Sequence, residues 1–191
     1  MAKLYFRYST MNAGKSLDLC RINHNYIENG KKTLCLTASV DDRYGKNKIT
    51  SRIGISIDAI SVSRETNIFD LIKETEDISC VLIDEIQFFT KKHIQQITDV
   101  VDILNIPVIC YGLRSSYTLD IFDGSAYLMS ICDEIQEIKT ICSHCKNKKA
   151  IINARFENDK IVLEGNQVII GGNNEYKPLC RKCYKNYIEI K

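Results

Sequence analysis

The chain has 191 residues, 45% hydrophobic and 26% charged, which is the composition of a globular protein with one main core. It contains neither an apolar run long enough to cross a bilayer nor a signal-peptide pattern, so we expect a cytoplasmic protein with no membrane partner. The net charge of +2 argues against bulk nucleic-acid binding, although residues 139–191 carry eleven Lys and Arg against five Asp and Glu.

The first predicted element is a strand over residues 3–8, which leads into the segment Ser9-Thr-Met-Asn-Ala-Gly-Lys-Ser16. This segment fits the phosphate-loop pattern G-x-x-x-x-G-K-[ST], except that Ser9 replaces the first glycine. Apolar residues at near-helical spacing follow, and Gly30 marks the helix end. Strand, loop and helix in this order predict a phosphate site; the alternative is an ordinary turn with a chance lysine.

Such a loop binds polyphosphate because its backbone N–H groups and the helix dipole point at the ligand. Lys15 would reach the β- and γ-phosphates, and the Ser16 hydroxyl would ligate Mg²⁺. We therefore expect the protein to bind a nucleoside triphosphate. The predicted phosphate-binding residues of the loop are Ser9, Met11, Asn12, Ala13, Gly14, Lys15 and Ser16.

An apolar strand predicted to begin at Cys80 ends in two carboxylates, Asp84 and Glu85. Open α/β sheets bind ligands at the carboxyl ends of their strands. Asp84 is therefore a candidate Mg²⁺ ligand of the Walker B type, and Glu85 is a candidate general base. The alternative is a solvated acidic turn.

The remaining predicted elements alternate in type: strands over residues 32–37 and 106–111, and helices over residues 67–76 and 91–105. Alternation of this kind predicts an α/β fold like that of P-loop NTPases (RecA-like), with a mainly parallel sheet flanked by helices. We place the domain boundary near Thr140. Residues 1–140 then form a nucleotide-binding domain, and residues 141–191, which contain two C-x-x-C pairs of the kind that binds zinc, form a small C-terminal zinc-binding domain.

The nine cysteines fall into two classes. Four form two C-x-x-C pairs, whose thiolates together would complete a tetrahedral structural zinc site; redox dithiols are the alternative. His144 lies within the first pair and is a possible substitute ligand, but we expect it to be an exposed bystander. The predicted zinc ligands are Cys142, Cys145, Cys180 and Cys183, and the cysteines predicted to be buried hydrophobes are Cys20, Cys35, Cys80, Cys110 and Cys132.

A phosphate loop, an acidic strand end and two cysteine pairs in this order resemble the type II thymidine kinases, a small zinc-containing family, over essentially the whole chain. Asp84-Glu-Ile-Gln-Phe-Phe89 is similar to the family's D-E-x-Q-F-F segment. Gly171-Gly-Asn-Asn-Glu-Tyr176, continuing through Cys180-Arg-Lys-Cys183-Tyr184, is similar to its C-terminal signature. Ser9 departs from the general loop pattern, but bacterial members of the family tolerate a serine there.

The resemblance implies an enzyme that transfers the γ-phosphate of ATP to the 5′-hydroxyl of thymidine, and of deoxyuridine, to give dTMP in nucleoside salvage. Glu85 would take the proton of the 5′-hydroxyl. Asp41 would hold a metal-bound water and Arg43 would stabilise developing charge, unless both belong to a polar surface loop. Ser51 and Arg52 fall in the same loop. The implied cofactors are Mg²⁺ with ATP and structural Zn²⁺.

The resemblance also implies a nucleoside site in two parts. A base pocket is lined by Phe88, Leu113, Tyr117 and Phe122. A lasso loop at residues 150–178, anchored by zinc at both ends, reads the thymine edge with its backbone and includes Gln167, Val168, Ile169 and Tyr176. Many of these aromatic residues could instead be plain core, as we expect for Phe89 and Tyr184. We expect the loss of a cysteine to weaken thymidine binding without affecting the phosphate loop.

The resemblance further implies a homotetramer and feedback inhibition by dTTP, with no nucleic-acid partner.

Two other functions compete with this interpretation. A nucleic-acid-binding zinc ribbon would use the basic tail and the cysteine pairs, but leaves the phosphate loop unexplained. A P-loop ATPase would use the nucleotide site, but leaves the C-terminal signature unexplained.

Overall fold

The computed structural model describes residues 1–40, 47–167 and 175–189. The helices of this part of the chain are α1 (Lys15–Glu28), α2 (Ile68–Lys73), α3 (Lys91–Asp102), α4 (Asp123–Ile131), α5 (Arg181–Glu189) and a 3₁₀ helix over Ile86–Phe88. Its strands are β1 (Leu4–Ser9), β2 (Lys32–Ala38), β3 (Lys48–Thr50), β4 (Ser56–Asp58), β5 (Ile60–Val62), β6 (Ile78–Ile83), β7 (Val108–Leu113), β8 (Glu134–Glu137), β9 (Ile152–Glu157), β10 (Lys160–Val162) and β11 (Tyr176–Leu179).

Six strands form a central sheet in the order β5-β2-β6-β7-β1-β8. Each neighbouring pair in this sheet is parallel. Helices pack on both faces, so the predicted α/β fold of the P-loop NTPase kind is confirmed. Because β6 and β1 flank β7, the residues that follow β1, β6 and β7 meet at one edge of the sheet.

The core lies on both faces of this sheet, as the alternating side chains of β6 show. Cys80 and Leu82 join a cluster that includes Leu19 of α1. Val81 and Ile83 join a larger cluster on the opposite face, which includes residues of α2, α3 and α4. A strand buried on both faces must be apolar throughout, which explains the continuous hydrophobic run before Asp84.

A polar network fixes the first turn of α1 against the sheet. Arg7 of β1 forms an ion pair with Asp18 at 2.6 Å, and the Tyr111 hydroxyl of β7 donates to the same carboxylate at 2.8 Å. Burial alone would raise the pKa of Asp18, but hydrogen bonds from Arg21, Tyr111 and Arg7 hold it below its ordinary value. The network anchors the helix that begins at the phosphate loop.

Several predicted elements differ from the structure at their ends. The helix predicted over residues 67–76 spans only Ile68–Lys73, and the helix predicted over residues 91–105 ends at Asp102. The strand predicted over residues 106–111 begins two residues later, after Pro107, which has no N–H to donate to a sheet. Of the five cysteines predicted to be buried, four are buried and Cys132 is half-buried.

A third hydrophobic cluster lies in the C-terminal lobe, our name for residues 141–167 and 175–189. Its antiparallel sheet has the order β10-β9-β11, and α5 packs against β9 and β10. Strands β3 and β4 form a separate antiparallel hairpin. Within the described ranges, no helix is both long and apolar enough to span a membrane.

Candidate functional site

The predicted phosphate loop connects β1 to α1, as the sequence pattern indicated. Gly14 is the N-cap of α1 and has φ 85°, a left-handed conformation that suits glycine. Its carbonyl accepts the Asp18 N–H at 2.9 Å. The chain therefore turns sharply at Gly14 and presents the amino end of α1 next to the loop.

Lys15 lies within this loop rather than in solvent, since only 8% of its surface is exposed. Its ammonium donates to the Ser9 hydroxyl at 3.1 Å and to the Thr10 carbonyl at 3.2 Å. The serine that replaces the usual glycine thus contributes an oxygen that holds the lysine. A buried cation at a helix N-terminus is a site suited to an anion.

Ser16 and Asp84 meet across the sheet edge, where the Ser16 hydroxyl donates to Asp84 Oδ2 at 2.8 Å. Asp84 is 4% exposed. Burial and then the neighbouring Glu85 carboxylate raise the pKa of Asp84, while the Ser16 hydrogen bond and the Lys15 charge act in the opposite direction. A carboxylate and a hydroxyl this close together are hard oxygen ligands that suit Mg²⁺.

Glu85 follows directly, in a left-handed backbone conformation with φ 54°. Its N–H donates to Asp84 Oδ1 at 3.0 Å, and its carboxylate accepts a hydrogen bond from the Gln87 side-chain amide. The Gln87 carbonyl oxygen in turn accepts the Leu113 N–H at 2.9 Å. Gln87 lies in the D-E-x-Q-F-F segment, but the sequence pattern alone does not indicate that it bonds to both Glu85 and Leu113.

Two residues of the predicted base pocket, Phe88 and Leu113, connect to this acidic pair through the 3₁₀ helix and Gln87. Phe88 and Phe122 pack edge to face with ring centroids 6.0 Å apart, and the Leu113 N–H is hydrogen-bonded to the Gln87 side chain. The Gln167 side chain donates to the Ile121 carbonyl at 3.3 Å. As expected, Phe89 and Tyr184 are buried core residues.

Tyr117 is covered by residues of the predicted lasso, which is not a loop throughout, since β9, β10 and the start of β11 lie within residues 150–178. Its ring packs edge to face on Tyr176 at 6.2 Å, and the Arg155 guanidinium lies 5.5 Å from its centroid. A Cβ on Gly165 would lie 2.6 Å from the Tyr117 hydroxyl. Gly165, which lies within the predicted lasso, therefore approaches Tyr117 as closely as a glycine allows, and Tyr117 is only 1% exposed.

Some predicted site residues fall outside the described residues: Asp41, Arg43, Val168, Ile169, Gly171 and Gly172. Their roles stay predictions. Ser51, assigned to the same loop as Asp41, is buried; its hydroxyl accepts the Ile55 N–H at 3.1 Å and helps close the β3–β4 hairpin.

The C-terminal lobe touches the phosphate loop directly, which sequence analysis did not predict. The buried Asn153 side chain of β9 accepts the Met11 N–H at 2.7 Å. Nearby, the Arg114 guanidinium donates to the Ile151 carbonyl at 3.3 Å. The Asn153 contact connects the lobe to the phosphate loop, which we expect to be unaffected by the loss of a cysteine.

The four predicted ligand cysteines form one cluster, with all sulfur atoms within 4.8 Å of one another. Cys145 Sγ and Cys180 Sγ are 3.9 Å apart, against roughly 3.8 Å for two thiolates on a tetrahedral zinc. Backbone N–H groups of Asn147 and Lys148 lower the pKa of Cys145 to about 6, which favours the ligating thiolate. The cluster is a structural metal site that fits zinc.

His144 has a different partner, as expected of a bystander. It is exposed, and its Nδ1 lies 2.9 Å from the Tyr187 hydroxyl of α5. The two rings also pack edge to face at 5.2 Å. The metal-site cluster found in the described residues contains the four cysteines and not this histidine.

Comparison with known proteins gives a consistent result. A family model described as "Thymidine kinase" matches residues 2–184. A protein named thymidine kinase from Mannheimia succiniciproducens is 49% identical over 188 residues, covering 97% of this chain and 96% of its own length. Proteins of the same name from Shewanella oneidensis (47% identity; 98% and 99% covered) and Lactiplantibacillus plantarum (46%; 96% and 96%) are similar over nearly full length.

Proposed function

We propose that this chain, which belongs to the thymidine kinase family, transfers the γ-phosphate of ATP to the 5′-hydroxyl of thymidine. One observation carries the proposal: the phosphate loop, Asp84 and Glu85 lie at a single sheet edge, beside the aromatic pair Phe88 and Phe122. A phosphoryl donor and a nucleoside acceptor could thus bind next to each other. The product with thymidine is dTMP, a step of nucleoside salvage, and deoxyuridine is a second substrate.

The phosphates of ATP occupy the loop over Ser9–Ser16 in this proposal. The loop amides and the Lys15 ammonium bind the phosphate oxygens, and Arg43 stabilises charge on the transferred group. Ser16 and Asp84 hold Mg²⁺, with Asp41 acting through a water. When bound, Mg²⁺ neutralises charge on the β- and γ-phosphates.

Glu85 is the general base. It takes the proton from the 5′-hydroxyl and orients that oxygen toward the γ-phosphorus. The short distance between its backbone and Asp84 supports this assignment, because the metal ligand and the base are then adjacent residues on the same turn. Positioning and charge stabilisation account for most of the catalysis of phosphoryl transfer.

The base pocket consists of Phe88, Leu113, Tyr117 and Phe122, and the lasso contributes Gln167, Val168, Ile169 and Tyr176. Aromatic packing holds the pyrimidine, and backbone groups of the lasso read its edge. Thymidine and deoxyuridine share an N3–H donor and an O4 acceptor, whereas deoxycytidine reverses this pattern. Buried backbone groups left unpaired would reject deoxycytidine by about 10⁴-fold.

The proposal also covers the metal, the domains, the location and the oligomeric state of the enzyme. The metal of the cysteine cluster is zinc, and it anchors the lasso. Residues 1–140 and 141–191 are two domains, supported by the separate hydrophobic cluster of the C-terminal lobe. The enzyme works in the cytoplasm as a homotetramer without nucleic acid, and dTTP inhibits it by resembling both substrates.

The test is phosphate transfer from Mg·ATP to thymidine, run in parallel with deoxycytidine and without nucleoside. Formation of dTMP, with no transfer to deoxycytidine, supports the kinase activity and the recognition of the thymine edge. Equal transfer to deoxycytidine contradicts the proposal that backbone groups of the lasso select the thymine edge. ATP consumption without a nucleoside favours a P-loop ATPase, and salt-dependent binding of DNA or RNA without transfer favours a zinc-ribbon protein.

A further inference from the structure

We infer that Gln87 is a positioning residue that holds the Glu85 carboxylate and ties it to the strand end that lines the nucleoside pocket. This inference rests on the proposed function, because it gives a role to a residue that acts through the proposed base. Gln87 is 4% exposed, and its side chain spans from Glu85 to the end of β7.

The orientation of the Gln87 amide is fixed by its two partners. The Leu113 backbone N–H can only donate, so the atom that it contacts at 2.9 Å must be the carbonyl oxygen. The NH₂ group therefore faces Glu85, whose carboxylate can only accept when ionised. A reversed amide would point its NH₂ group at the Leu113 N–H, which is also a donor. It would point its carbonyl oxygen at the Glu85 carboxylate, which is also an acceptor.

Gly112 provides the space for this amide. A Cβ at position 112 would lie 2.6 Å from the Gln87 carbonyl oxygen and 2.7 Å from Ile86 Cγ2. Both distances are far below van der Waals contact. The glycine is required here for close approach, and any larger residue would displace the Gln87 side chain or the 3₁₀ helix that carries it.

Glu85 needs such a support because of its local geometry. It occupies a left-handed turn between a buried strand and a short 3₁₀ helix, where regular structure does not set the direction of its side chain. A hydrogen bond from a buried amide selects one carboxylate position. The carbonyl oxygen of the same amide is bonded to Leu113, a proposed pocket residue. Gln87 therefore fixes the position of the base relative to the pocket.

Two substitutions separate the functions of the amide. Gln87→Glu has nearly the same shape and can still accept the Leu113 N–H, but it loses the donor to Glu85. Gln87→Met keeps the volume and loses both bonds. If Gln87 positions the base, both variants should lower kcat for thymidine by about 10- to 100-fold, because small displacements of reacting groups have effects of this size.

Gln96 is the matched control. It is a half-buried glutamine on α3 whose carbonyl oxygen also accepts a backbone N–H, that of Ile68 at 3.0 Å. Gln96→Glu and Gln96→Met should leave kcat within about twofold of the parent value, since Gln96 bonds to Ile68 of α2 and not to a proposed site residue. Thermal unfolding of all four variants would be recorded alongside.

The decisive measurement repeats the substitutions in a Glu85→Gln background. A residue that acts through Glu85 should have little further effect once that carboxylate is gone, so Gln87→Met should then change kcat by less than about threefold. An equal loss in both backgrounds would overturn the inference and indicate a structural role. Recovery of full kcat by Gln87→Glu would also overturn it, because the Leu113 bond alone would then suffice.

The controls separate this inference from the proposed function. If the parent protein makes no dTMP, the proposed function fails, and this inference fails with it. If the parent protein makes dTMP while both Gln87 variants keep its kcat, the inference alone is wrong. If Gln87→Met does not fold, Gln87→Glu decides, because it retains the Leu113 bond and the shape of the side chain.

Discussion

The phosphate loop and the metal site of the C-terminal lobe are held by different forces. The loop ends a strand of a sheet that is buried on both faces by large hydrophobic clusters. The C-terminal lobe has a cluster of nine buried residues, of which three are metal-site cysteines. We expect a core this small to depend on a bound metal for its stability. Substitutions at the two sites should therefore fail in different ways.

The largest effect expected on chemistry without loss of structure is that of Glu85→Gln. The change keeps the shape of the side chain but removes the proposed base, so kcat for thymidine should fall by about 10²- to 10⁴-fold. The unfolding temperature should stay near that of the parent, because the sheet core is untouched. Glu134→Gln, on an exposed ion pair with Lys3, is the control. Near-normal turnover by Glu85→Gln would show that another group is the base.

The C-terminal lobe should instead lose its structure when the metal is removed. Cys145→Ser, or chelation, should release the metal, whose binding contributes about 10 kcal/mol to folding in small zinc modules. Hydrogen exchange of β9 and β10 should then rise sharply, while β6 stays protected. Cys132→Ser is the control, since Cys132 lies outside the metal cluster. Unchanged protection of β9 after metal loss would contradict this dependence.

Asn153→Ala tests the contact between the two regions. The substitution leaves the Met11 N–H without its acceptor, and the loss of a buried partner costs about 1–3 kcal/mol. We expect KM for ATP to rise by about tenfold even though Asn153 lies in the other lobe. Asn29→Ala, which removes an exposed amide bonded to the Asn25 carbonyl, should have no such effect. An unchanged KM for ATP would mean that the loop keeps its geometry without Asn153.

The smallest expected effect is confined to the nucleoside. Gly165→Ala places a Cβ 2.6 Å from the Tyr117 hydroxyl, so KM for thymidine should rise by several-fold while KM for ATP stays constant. Gly30→Ala is a matched control, because Gly30 also has a positive φ but has nothing within 4 Å of an added Cβ. A similar effect of both substitutions on thymidine would attribute the change to backbone strain rather than to Tyr117.

Sequence patterns predicted the parts of the site that depend on residues close together in the chain. Lys15 and Asp84 each follow a buried strand, and the strands of a parallel sheet bring such positions to one edge. The cysteine pairs were recognisable because two ligands three residues apart form a local turn. Both features can be predicted from the fold class alone, without knowledge of how the side chains pack.

The bonds made by Gln87 and Asn153 could not be predicted in the same way. Each side chain binds a backbone N–H, at Leu113 and Met11, which lie 26 and 142 residues away in the chain. A backbone N–H carries no residue-type signal, so only the folded arrangement shows which one a polar side chain will meet. The Arg7–Asp18 ion pair depends likewise on the packing of α1 against β1.

The hydrogen bond from Met11 to Asn153 has a thermodynamic consequence. If a folded C-terminal lobe tightens ATP binding through this bond, then ATP must tighten the retention of the metal by the same factor, since linkage between two binding equilibria is reciprocal. The nucleotide would then protect a metal that it does not touch. Without ATP, chelators would remove the metal from the cysteine cluster more readily, and saturating ATP would slow that removal.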